Sequence, residues 1–113
     1  MRLSTHLGPD GAHWWTIVRP EDSAPVARGT LGYPDVDTCA RAAEDAMAAG
    51  PAARRPVLQP DGGWRWVITG PSGEPVAESP DVFANQAFCG YALYEVRHAL
   101  QRDTLTGWQL PIA

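Results

Sequence analysis

The clearest pattern in the chain begins at residue 64, where large apolar residues (Trp64, Trp66, Ile68) alternate with Arg65, Val67 and Thr69. That is the period of two expected of a strand burying one face. Asp61-Gly62-Gly63 supplies a turn before it and Gly70-Pro71-Ser72-Gly73 a turn after it. Glu74–Ser79 then resumes an extended segment, so the two form a hairpin, with Pro75 at a strand start or edge. Upstream, residues 55–59 (Arg-Pro-Val-Leu-Gln) read as a further short strand. Past Pro80 the period becomes that of a helix, because Cys89, Ala92, Leu93, Val96 and Leu100 fall on one stripe and Asn85 is placed to cap it.

The first half of the chain matches this pattern under an ungapped shift of fifty residues. Trp14 falls on Trp64, Pro25-Val26-Ala27 on Pro75-Val76-Ala77, and Cys39 on Cys89. Ile17-Val18 lies over Val67-Ile68, Tyr33 over Phe83, and Asp35 over the cap Asn85. Such a match reads as an internal duplication. The expected fold is therefore α+β: two tandem βββα repeats forming an antiparallel sheet, with two helices packed on one face and a pseudo-twofold axis between the halves. Residues 1–50 would be repeat one, 51–103 repeat two, and 104–113 a C-terminal tail of a single domain. The same shift puts Trp14, Thr16 and Val18 on the helix-facing side and turns Trp15, Ile17 and Arg19 away from it. The first helix carries a stripe of small residues, Cys39, Ala42, Ala43 and Ala46, which lets it approach the sheet closely.

At 113 residues the chain can bury a core without a metal or disulfide. Its formal charge of −4 argues against an electrostatic nucleic-acid binder, and all nine of its basic residues are Arg. No apolar run approaches a membrane span or a signal peptide, so the expected compartment is the cytoplasm, with no membrane partner. The expected state of Cys39 and Cys89 there is two buried thiols; a disulfide across the pseudo-axis is the alternative. Neither lies in a CxxC, and His6, His13 and His98 show no zinc-ligand spacing, so no metal or other cofactor is expected.

Residues 63–68 (Gly-Trp-Arg-Trp-Val-Ile), residues 71–79 (Pro-Ser-Gly-Glu-Pro-Val-Ala-Glu-Ser) and the helix with Gly90 and Val96 resemble the YegP-like family of small bacterial proteins. Ser72-Gly73-Glu74 stands for that family's hairpin turn and Phe83 for the aromatic residue before its helix. The resemblance implies a fold of tandem units. It supplies no catalytic residues, since the family is a domain of unknown function. This chain departs from it in having no Lys, in its acidic balance, and in replacing the first glycine turn by residues 19–23 (Arg-Pro-Glu-Asp-Ser).

Two candidate contact regions follow. Trp15, Ile17 and Arg19, if turned outward, would form an interaction surface, or the chain termini would cover them. Phe88, Tyr91, Tyr94 and His98 lie beyond the Cys89 stripe and would form a dimer seam or an aromatic pocket, or pack against the core. The expected function is a non-catalytic module that binds a protein partner or small ligand and self-associates as a homodimer. The alternative is a cysteine-dependent enzyme or redox-active thiol protein, built on Cys39 or Cys89 with His13 or His98.

Overall fold

The computed structural model describes residues 2–49 and 53–102, the last six of these by backbone only. The strands are β1 (Arg2–Leu7), β2 (His13–Val18), β3 (Pro25–Gly29), β4 (Arg54–Leu58), β5 (Trp64–Thr69) and β6 (Pro75–Glu78); the helices are α1 (Val36–Met47) and α2 (Gln86–Arg102). All six strands join one sheet in the order β1-β2-β3-β6-β5-β4, paired antiparallel throughout. Both helix starts lie where the polar caps predict them: Thr38 N donates to Asp35 Oδ1 at 2.7 Å, and Phe88 N to Asn85 Oδ1 at 2.9 Å. Just ahead of each cap, Tyr33 and Phe83 are pinned by backbone bridges to His13 and Trp64.

Strand and helix patterns converge on one core. Leu3, Trp15, Ile17, Ala27, Trp66, Ile68 and Ala77 of the sheet bury against Cys39, Ala43, Ala46 and Met47 of α1 and Cys89 and Val96 of α2. The helix-facing residues of the central strands are small, and the indole of Trp15 lies over one of them. A Cβ at Gly29 would meet Trp15 Nε1 at 2.5 Å, so only glycine leaves room there. Among the described residues Trp15 Nε1 has no hydrogen-bond partner.

The register of β2 corrects the sequence expectation. Trp15 and Ile17 are each 1% exposed and belong to the core, while Trp14, Thr16 and Val18 are half-buried on the opposite face. The cause is one residue in a turn. Arg19 N donates to Ala24 O across four intervening residues, whereas Gly70 N donates to Glu74 O across three. The shift of fifty therefore holds from β3 onward, but β2 matches β5 at fifty-one, with Trp15 on Trp66 and Ile17 on Ile68. A slip of one residue in a period of two reverses every side chain.

This register gives a direct test. Trp15→Ala should cost about 3–5 kcal/mol in urea unfolding, as expected for emptying a buried indole site, and Trp14→Ala only about 1–2 kcal/mol. The reverse order, or equal costs, would contradict the facing of β2.

Candidate functional site

Of the residues singled out from sequence, Arg19 and Tyr91 meet at one place. They line a cleft of about 730 Å³ between the β2–β3 turn, the segment from Ser79 to Phe83, and the middle of α2. Trp15 and Ile17 are removed from any contact surface by their burial, and Arg19, expected beside them, sits on the exposed turn instead. Tyr94 is exposed on α2, outside the residues lining the cleft. The side chain of His98 and the tail from residue 103 lie outside the described residues.

Apolar walls of the cleft come from Val26, Trp66, Phe83, Ala92 and Val96, with Pro20, Pro25 and Pro80 around them. Its rim carries Glu21, Asp81 and Glu95, all exposed. Among the described residues Arg19 is the one basic residue lining it, and Asp22 already holds that guanidinium through contacts of 2.9 and 3.3 Å. The amide of Ala24, and then Arg19, keep the Asp22 carboxyl below its usual range. Tyr91 stands at the mouth with 64% exposure. The Glu95 carboxylate one turn on, as acceptor for its hydroxyl and as a like charge, holds the phenol above its usual range. Ser79 anchors the inner edge: its Oγ accepts from Trp66 N at 3.2 Å and donates to Asp81 O at 2.8 Å. Sequence reading missed Trp66, Asp81 and Glu95 as sharing a cleft with Arg19, because only the pairing of β3 with β6 brings the β2–β3 turn beside α2.

The sheet face away from the helices is polar at its centre. Arg28 and Glu78 face each other across the β3–β6 ladder at 2.6 Å, and Arg65 reaches the same carboxylate at 3.5 Å while also donating to the carbonyls of Ser79 and Pro80. A shallow dish of about 570 Å³ lies beside this pair, lined in part by His6, Trp14, Thr16 and Thr30. Among the described residues no group of His, Cys, Asp and Glu side chains is gathered as metal ligands, and no helix is long and apolar enough to cross a membrane.

Both cysteines are free thiols with no exposed surface. Burial, and then the nearby Asp35 charge, push the Cys39 thiol up to about 11; burial alone raises Cys89. A nucleophilic cysteine needs the opposite environment, accessible and electropositive.

No family model and no curated protein matches the sequence. Two solved structures do match the fold. One is the solution NMR structure of yegP from Escherichia coli, a protein of unknown function, with a TM-score of 0.69 at 10% identity over 85% of this chain and 82% of that one. The other is the solution NMR structure of a UPF0339 protein from Shewanella oneidensis, with a TM-score of 0.69 at 7% identity over 86% and 81% of the two chains. The chain thus has the YegP-like fold, and at these identities the likeness carries the fold alone.

The thiol environment predicts slow chemistry. At pH 8 native protein should react with an aromatic disulfide reagent at least about 100-fold more slowly than the urea-unfolded chain. The raised pKa also sets a pH window. Stability from this group is complete below about pH 9 and falls toward pH 11, because the unfolded chain releases the Cys39 proton first. Rapid labelling of either cysteine in native protein would reopen a thiol-based activity.

Proposed function

We propose that the protein is a non-catalytic binding module that self-associates through β1 and takes a ligand in the cleft beside α2. In this reading the chain is one domain made by duplication of a βββα unit, residues 1–50 and 51–103, related by a pseudo-twofold axis, with 104–113 as a tail. Recurrent local geometry supports the duplication. Gly11 and Gly62 take φ of 82° and 94° in matching turns, closed by Gly8 N to Ala12 O and Gln59 N to Gly63 O. The Arg28–Glu78 pair joins equivalent positions fifty residues apart. A cytoplasmic setting is part of the reading and is favoured by two free buried thiols.

The observation that carries self-association is the difference between the two sheet edges, β1 and β4. Amides alternate in direction along an antiparallel strand. Counting from the Gly8–Ala12 bond, Arg2, Ser4 and His6 face β2, and Leu3, Thr5 and Leu7 direct their amides to the open edge. Counting from Gln59–Gly63, Arg55 and Val57 face β5, and Pro56 lies on the open edge. Pro56 therefore deletes an outward donor without costing a bond to β5, which guards that edge against pairing. The equivalent of Pro56 on β1 is Thr5, fifty-one residues earlier, so β1 keeps its outward donors. One open edge and one guarded edge favour a closed pair, β1 against β1 of a second copy, over an open-ended chain.

Light scattering after size exclusion tests this. The 12.2 kDa chain should run as a dimer. Thr5→Pro, which gives β1 the guard that β4 already has, should run as a monomer while losing less than about 1 kcal/mol of stability per folded chain. A monomeric wild-type protein across the concentration range, or a dimeric Thr5→Pro variant, would eliminate β1 as the interface.

A further inference from the structure

The cleft beside α2 has a chemical bias that goes beyond its being a cleft, and naming its ligand class rests on the binding reading above. Three features coincide there. Among the described residues, none of its rim carboxylates, Glu21, Asp81 and Glu95, forms an ion pair, while the one cation, Arg19, is already neutralised by Asp22. Aromatic side chains line the same space, with Phe83 half-buried in the wall and Tyr91 exposed at the mouth. The remaining wall is aliphatic, from Val26, Ala92 and Val96. Negative charge around an aromatic and aliphatic hollow complements a cation on an apolar stem, because ring faces attract cations and the stem buries against the wall.

We infer that this cleft binds a guanidinium group carried on an aliphatic stem. A guanidinium fits better than an ammonium: it is planar, weakly hydrated, stacks on aromatic faces and forks onto carboxylates, whereas an ammonium holds its water. An anion is disfavoured by the three rim carboxylates. A neutral apolar ligand would leave those charges unanswered and gain only the wall. The same group can arrive as a free alkylguanidine or as an arginine side chain on a peptide, and the cleft is large enough for either, at about 730 Å³.

The test is a titration of the full-length protein followed by backbone amide NMR shifts. The probes are butylguanidine, its neutral analogue butylurea, and the blocked peptide acetyl-Gly-Arg-Gly-amide. Butylguanidine should shift amides in residues 19–26, 79–83 and 91–96, with a dissociation constant of about 1 mM, as suits an exposed and screened site. Butylurea should bind at least about fivefold more weakly, and the double variant Asp81→Asn, Glu95→Gln should weaken butylguanidine about tenfold while leaving butylurea unchanged. Tighter binding of the peptide than of butylguanidine assigns the guanidinium to a polypeptide partner; the reverse assigns it to a small molecule. Equal binding of butylguanidine and butylurea overturns the cation preference and leaves the cleft as a ligand site. Shifts from none of the probes overturn the site itself, a result separate from the dimer test on β1.

Discussion

The sheet is continuous only because β3 and β6 pair, and this short ladder decides everything around it. The two strands are five and four residues long. They meet at Arg28 opposite Glu78 and Gly29 opposite Ala77, extended by Thr30 N to Val76 O and Thr30 Oγ1 to Pro75 O. Placing the last strand of each half at the centre sends the first strands, β1 and β4, to the edges. It also brings the turn after β2 toward the second half of the molecule, which is how the Arg19 turn comes to border α2. The open β1 edge and the cleft are thus both consequences of one junction.

Small side chains at that junction make the core possible. Ala27, Gly29 and Ala77 of the central strands, with Ser79 just past β6, occupy buried positions and leave space above the sheet that the bulk of Trp15 and Trp66 can fill. Cys39, Ala43 and Ala46 let α1 come down on the same layer. Large residues on the second and fifth strands, small ones on the third and sixth, and small ones on the facing helix are complementary volumes; interiors pack to near crystal density only when such volumes sum correctly.

Much of this was legible from residue pattern. The alternation through Trp64, Trp66 and Ile68 located a half-buried strand, Asp35 and Asn85 marked both helix starts, and the glycine turns marked the hairpins. The facing of β2 was not legible from a shift of fifty, because matches after the turn dominate the alignment and one added residue within 20–23 is invisible without a gap. The adjacent pair Trp14-Trp15 made the error easy, since either indole can be matched to a tryptophan of β5. The alternation itself held a clue: Trp15 and Ile17 stand two apart on β2 as Trp66 and Ile68 do on β5, and Leu3 is the partner of Ile17 across β1 and β2. The cleft was half legible, through Arg19 and Tyr91, but their meeting depends on strand order, which no local pattern encodes.

Under the duplication proposed above, positions that the fold requires should agree between halves, and positions free to serve a ligand or partner are those that differ. Trp15 and Trp66, Ile17 and Ile68, and Cys39 and Cys89 agree, and all are buried. Three of the cleft residues do not follow suit: Leu31 stands where the second half has Asp81, Arg41 where it has Tyr91, and Gly70 where the first half has Arg19. Thr5 against Pro56 is the same kind of difference at the sheet edge. A fold that needed an acid at 81, an aromatic at 91 or a proline at 56 for its own stability would need them at the corresponding places in the first half. Their restriction to one half separates them from the requirements of packing, and in the binding reading proposed above it would put specificity in the asymmetry between the two halves.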